Sequence, residues 1–362
     1  MSYFRPHILA MTGDTPGEQP VAAATDKVIK RNTNENPYPC SPKVKAAIGR
    51  VVTQGLQKYP DPAATAFRIR AGELLGFEPD WILCGNGSDE LLTMLTRAFV
   101  SPGDRVRFAY PSYVLYKTLA DIQAAECDLV NFNADWSLGN EFGQLAPGAD
   151  HRSAAVPAPR LAFLTNPNSP SGTVVQPARV AKLADALPCP LVVDEAYVDF
   201  ADTHCLDLVR ANEKVIVTRT LSKSYALCGL RFGFAVAQPQ IIEQLAKVKD
   251  SYNCDALSIA GATAAIDDQA WLAETRSQIL ATRGRLTARL RELGFAVVDS
   301  QANFVWATHA SRPLEPVYQQ LKADGVLVRY LNYPGWGDGL RVSVGTDDQI
   351  DALVTLLGSI LS

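Results

Sequence analysis

The chain has 362 residues, 47% hydrophobic and 20% charged, with a formal net charge of −4 and a pI near 5.7. This length suits one large domain or two ordinary ones, and the acidic balance argues against a nucleic-acid or anionic-membrane surface. No apolar run approaches the roughly 18 to 20 residues that span a bilayer, and "MSYFRPHILAMTGDTPGEQP" lacks the n- and h-regions of a secretory signal, so the expectation is a cytoplasmic protein.

Residues 1–40 are rich in Pro, Gly, Asn and Thr and read as an extended arm. In "WILCGNGSDE" a short strand runs through Gly85-Asn86-Gly87-Ser88 into a helix. That helix, "DELLTMLTRAFV", sets Leu91, Leu92, Leu95 and Phe99 at helical spacing, with Ser88 and Asp89 as N-cap candidates. Glycines let the backbone approach an anion, and the free N–H groups of the helix start, with the Ser88 hydroxyl, can hold a phosphate. The plain alternative is a capped turn. A dinucleotide fingerprint is not supported, because Glu90 stands where G-x-G-x-x-G needs its third glycine.

Further along, "RVRFAYP", "AECDLVNF", "RLAFLTNP", "PLVVDEAY", "KVIVTRT" and "RFGFAVA" read as short strands, with helical segments such as "PARVAKLADAL" between several of them. The alternation predicts an α/β fold with a mostly parallel sheet covered by helices. After a long helical pattern, "WLAETRSQILATRGRLTARLRELG", come strand-like "NFVWAT", another helix, "GVLVRYL", "GLRVSVG" and a last helix near "DDQIDALVTLLGSIL". This C-terminal texture predicts a smaller α/β domain at 256–362, following a large domain at 41–255. The seven cysteines are scattered without a C-x-x-C pair and the four histidines are dispersed, so neither a disulfide framework nor a metal site is expected.

In open α/β sheets, ligands gather beyond the carboxyl ends of the strands, and polar residues cluster there in this chain. "LTNPNSPSG" is a rigid turn that makes Asn168 or Ser169 a candidate contact. "PLVVDEAY" ends in Asp194-Glu195, as a nucleotide hydrolase's acidic strand does. That non-enzymatic or hydrolytic nucleotide-binding reading needs a G-x-x-x-x-G-K-[ST] loop, and the sequence has none. Asp194 could instead pair with a cofactor's ring nitrogen, with Tyr197 three residues on, or simply cap a turn. In "RTLSKSYALCGLRFGF", Lys223 falls just past a strand end with no acid in the run. It is a nucleophile candidate toward a carbonyl, or a snorkelling surface lysine. A phosphate cradle, a carboxylate and a lysine together are what pyridoxal phosphate needs.

With "NTNENPY", "KYPDP", "GNGSDE", "YPSY", "NPNSPSG", "DEAYVDF", "RTLSKSYALCGLRFGF" and "GLRVSVG" in order along nearly the whole chain, the sequence resembles the fold-type I pyridoxal-phosphate aminotransferases of class I/II. The histidinol-phosphate aminotransferase branch is the most similar. The resemblance implies that Lys223 forms the internal aldimine and shuttles the proton, Asp194 holds the pyridine nitrogen, and Tyr197 bonds the phenolic oxygen. It implies that Tyr113 stacks on the ring, that Gly87, Ser88, Ser222 and Arg231 hold the phosphate with Asp89 and Asn168 nearby, and that Tyr59 reaches in from the partner of a homodimer. Arg341 shares a strand face with Ser343 opposite Leu340, Val342 and Val344, and its guanidinium could grip a carboxylate or phosphate. By resemblance it holds the substrate's anionic group, with Arg329, Asn36 and Asn303 as further pocket candidates. The implied reaction is ping-pong transfer between an amino donor, histidinol phosphate, and a 2-oxo acid, 2-oxoglutarate. Aromatic amino-acid transamination and decarboxylation on the same scaffold stay open. Three departures stand out: Ser169 where the family usually has Asn, Ser171 for Thr, and Arg31 for Leu beside the arm.

Overall fold

The computed structural model describes residues 2–13, 15–19, 28–145 and 157–362. In chain order its elements are α1 (Pro6–Ala10), β1 (Ile29–Arg31), α2 (Pro42–Gln54), α3 (Thr65–Leu75), β2 (Ile82–Gly85), α4 (Ser88–Phe99), β3 (Arg105–Tyr110), α5 (Leu115–Ile122), β4 (Glu126–Asn131), β5 (Pro159–Thr165), α6 (Pro177–Ala186), β6 (Leu191–Asp194), α7 (Leu208–Ala211), β7 (Val215–Thr220) and β8 (Gly233–Val236). There follow α8 (Pro239–Val248), α9 (Ala256–Ile266), α10 (Gln269–Glu292), β9 (Ala296–Val297), β10 (Phe304–Thr308), α11 (Leu314–Ala323), β11 (Val326–Tyr333), β12 (Gly337–Ser343) and α12 (Asp347–Leu361).

The expected α/β fold is present, as two sheets. Among the described residues, seven strands run in the order β2-β8-β7-β6-β5-β3-β4, and of these β8 alone runs against its neighbours. The central strands β6 and β8 are buried at every position, as suits strands covered on both faces. One face packs Val193, Val217, Phe67 and Phe232; the other packs Val192, Ile216, Leu92 and Leu95. Because β2, β3, β5, β6 and β7 share one direction, their carboxyl ends meet along a single edge.

The second sheet, β1-β11-β12-β10-β9, is mostly antiparallel and is backed by Leu286, Leu321, Leu353 and Leu357 of α10, α11 and α12. The expected boundary at 255/256 falls before α9, yet Ile259, Ala262, Ala265 and Ile266 of that helix pack into the large core against α2 and α3. Small residues in "ALSIAGATAAI" allow that close approach; an added Cβ at Gly261 would lie 2.7 Å from Leu230. α10 then carries the chain to the smaller unit. Of the expected arm, positions 1, 14 and 20–27 lie outside the described residues. Its remainder serves both units: α1 lies against α5, while β1 pairs in parallel with β11.

Candidate active site

Where β2 ends, the backbone turns through Gly87 at φ +82 into α4, whose first turn has no side-chain cap. A Cβ on Gly87 would lie 2.6 Å from Arg231 Nη2, and one on Gly233 would lie 2.7 Å from the Ser88 nitrogen, so both positions require glycine. Arg231, itself at φ +51, donates to Ser222 Oγ at 3.3 Å and to the Asp89 carboxylate at 3.2 Å. Thr220 donates to Ser222 Oγ at 3.0 Å. A hydroxyl, a guanidinium and the bare start of a twelve-residue helix thus face one another across a close-packed turn. That donor set fits a phosphate dianion.

At the end of β6, Asp194 is 2% exposed and meets only neutral donors. Tyr116 donates to it at 2.9 Å, Thr218 at 3.3 Å, and the Ala196 N–H also bonds it. Burial pushes its pKa up to about 6, with Asp89 adding to the rise and the hydrogen bonds opposing it. The adjacent Glu195 differs: Arg219 grips one of its oxygens at 2.9 and 2.7 Å, and Cys205 N–H donates to the other. A buried carboxylate with no cation beside it among the described residues fits a protonated ring nitrogen.

Lys223, in the loop after β7, donates from Nζ to the Thr33 carbonyl at 3.0 Å and lies 5.9 Å from the Tyr197 ring centroid. Asn34 donates to Tyr197 Oη at 3.0 Å, and Phe304 meets that ring edge-on. Tyr113 donates to Asp89 at 3.2 Å, and burial drives its phenol pKa upward. Asn36 sends its amide to the carbonyls of Lys223 and Ser224 at 3.1 and 2.9 Å, bracing the lysine loop.

From the smaller sheet, Arg341 Nη1 donates to Ser169 Oγ at 2.9 Å and Nη2 to the Asn32 carbonyl at 3.1 Å. Burial lowers its pKa. Arg329 is its cross-strand partner on the same face and donates to the Thr15 carbonyl of the arm. Asn303 donates to the Asn34 carbonyl, and Asn168 to Ser171 Oγ and the Pro111 carbonyl. Arg341 Nε, Asn303 Oδ1 and Asn168 Oδ1 are buried without a hydrogen-bond partner among the described residues, polar capacity that a bound anion or cofactor could use.

Two candidates lie away from this cluster. Tyr59 is 80% exposed and stacks on Tyr252 with centroids 4.3 Å apart. Arg31 pairs in register with Val328, placing it on the opposite sheet face from Arg341, where it donates to the Val344 carbonyl. Sequence reading passed over Asn34, Tyr116, Thr165 and Thr218, which support the site. Tyr116 follows Tyr113 by one helical turn, but nothing in an apolar helix face distinguishes a hydrogen-bonding phenol from a packing one.

Along this edge the phosphate-sized donor set, the Asp194 carboxylate, Lys223 and the Arg341 guanidinium are the residue types that a phosphorylated ring cofactor and an anionic substrate would call for. A family model, aminotransferase class I and II, matches residues 26–357. The chain is 52% identical over 355 residues to the histidinol-phosphate aminotransferase of Rhodopirellula baltica, covering 98% of this chain and 94% of that protein. It is 44% identical to histidinol-phosphate aminotransferase 1 of a Nostoc species, covering 99% and 98%. Among solved structures, histidinol-phosphate aminotransferase from Sinorhizobium meliloti in complex with pyridoxal-5'-phosphate superposes with a TM-score of 0.88 at 26% identity, covering 100% of this chain and 98% of that one. The chain belongs to the class I and II aminotransferases.

Proposed function

We propose that the chain is a pyridoxal-phosphate-dependent histidinol-phosphate aminotransferase, with 2-oxoglutarate as the partner 2-oxo acid. The 52% identity to a relative of that name over nearly the full chain carries the substrate reading. When bound, the cofactor supplies an aldehyde that exchanges with an amine and a protonated ring that accepts the electron pair freed at the substrate's α-carbon.

The protein's own groups divide the remaining work. Gly87, Ser88, Ser222 and Arg231 would hold the phosphate, Asp194 the ring nitrogen, and Tyr197 the phenolic oxygen. Tyr113 covers one ring face. Lys223 would face the cofactor's aldehyde and would serve as the base that moves the proton at the substrate's α-carbon. Arg341 holds the anionic end of the substrate, with Arg329 beside it. We read the assembly as a cytoplasmic homodimer in which exposed Tyr59 reaches the partner's phosphate cradle. No described helix is long and apolar enough to cross a membrane.

Purified protein supplied with pyridoxal phosphate should be yellow, and borohydride should fix the cofactor to the peptide bearing Lys223. The amino half-reaction should run faster with histidinol phosphate than with phenylalanine or tyrosine. Colourless protein that takes up no cofactor defeats the chemistry; preference for an aromatic amino acid, or release of carbon dioxide, defeats the substrate or the reaction.

A further inference from the structure

Asp194 takes its strongest side-chain contact from a residue outside the cofactor's expected shell. Tyr116, on α5, is fully buried and donates to Asp194 Oδ2 at 2.9 Å. Its hydroxyl lies 2.7 Å from Thr165 Oγ1, and Thr165 is the in-register partner of Asp194 on the neighbouring strand β5. A phenol has one proton. With that proton on the carboxylate, Thr165 must donate to the phenol oxygen, which gives a directed chain from Thr165 through Tyr116 to Asp194. The ring is locked by parallel stacking on Phe163 with centroids 4.6 Å apart and by an edge contact with Phe108. Thr218 and the Ala196 N–H complete the set of donors, and Asp89 and Tyr113 are the other titratable groups bearing on this carboxylate.

We infer that Tyr116, backed by Thr165, is a positioning residue that orients Asp194 and sets how much of the proton shared with the cofactor's ring nitrogen stays on the ring. The inference rests on the pyridoxal-phosphate reading. A hydrogen bond to an ionised carboxylate favours the charged form. Removing the donor makes Asp194 more basic and draws the shared proton toward it, leaving the ring less positive. A less positive ring is a weaker electron sink. It also lets the nitrogen joining Lys223 to the aldehyde carbon keep its proton to higher pH. Cooperative polarisation passes the loss of the Thr165 hydroxyl along the same route with smaller effect.

The test uses holoenzyme. Tyr116→Phe keeps the ring stacking and removes the hydroxyl alone. We expect the pH midpoint of the bound cofactor's visible absorbance change to rise by about half a unit to one unit. We also expect kcat to fall about tenfold with KM for the amino donor little changed, and cofactor release to quicken by about the same factor. Thr165→Val should move the midpoint the same way by less, and Thr165→Ser should restore it. A folded Tyr116→Phe with the parent midpoint overturns the inference, even if kcat has dropped, since a structural role alone would do that. If Tyr116→Phe does not fold, Thr165→Val decides, and an unshifted midpoint there is equally fatal. Parent protein that binds no pyridoxal phosphate would sink the functional reading itself, a result separable from both.

Discussion

Each of the two sheets brings one charged side chain to the site among neutral partners, and they differ in how firmly they hold it. The seven-stranded sheet ends in Asp194, surrounded by hydroxyls and a backbone N–H, all neutral. The smaller sheet presents Arg341, whose partners are a hydroxyl and a carbonyl, also neutral. By contrast Glu195 pairs with Arg219 and Arg107 with Asp128, while buried Arg31 donates to the Val344 carbonyl and leaves Nε without a partner among the described residues. Burying an unpaired charge costs stability, a penalty that a ligand of opposite charge would relieve at each of these two positions. The difference lies in rigidity. Asp194 sits on a central strand within the large core, whereas Arg341 depends on arm and turn residues from outside its own sheet.

The largest test of that division is Lys223→Ala, which should cut the half-reaction with histidinol phosphate by about 10⁴-fold while leaving the fold intact. Preserved turnover would show that the large-sheet edge is not the chemical centre. Glu195→Gln breaks a buried pair next to the site and should lower unfolding stability by about 3 to 5 kcal/mol in denaturant titration. A loss of activity without loss of stability would make Glu195 a ligand group after all.

The third test uses pH. With a folded pKa near 6 against an ordinary 3.8, Asp194 in the cofactor-free protein holds its proton to higher pH than in the unfolded chain. The native state then binds more protons in that window, so this group's contribution to stability falls as pH rises through it, by about 3 kcal/mol in all. A cationic ring nitrogen removes the penalty. The thermal stabilisation produced by cofactor should therefore grow between pH 4 and 6 and level off above. Asp194→Asn should flatten that slope; an unchanged slope would assign it to another group. Fourth, Arg341→Lys keeps the charge but loses the planar fork, and should raise KM for both substrates about a hundredfold with cofactor binding untouched. Weakened cofactor binding instead would show that the two sheets do not divide the work.

The large-sheet edge was legible because its elements are local: an apolar run, then a turn residue or a charge, as in "LVVDEAY" and "CGNGSDE". Lys223 and Asp194 stand out since a charge at an apolar strand's end needs a reason. Placements that depend on distant partners were not legible. Arg31 looked like a substrate-side substitution, and only its register with Val328 turns it to the far face. α9 reads as an unremarkable small-residue helix, so its attachment to α2 and α3 appears only in the packing. Ser169 posed the question of what takes over the usual Asn contact; the structure ties its hydroxyl to Arg341 and leaves Asn168 Oδ1 buried without a partner.

The pairing of β1 with β11 has a consequence for how the protein is born. Ile29 leaves the ribosome long before its strand partner Val326. Thr33, Asn34 and Asn36, which follow β1, brace Lys223, Tyr197 and the lysine loop. The large core can begin to condense while translation continues, because its buried residues lie upstream of β11. The arm must wait. The bracing of Lys223 and Tyr197 by Thr33 and Asn34 therefore cannot settle until β11 has emerged, so order at this edge of the large sheet waits on the smaller sheet.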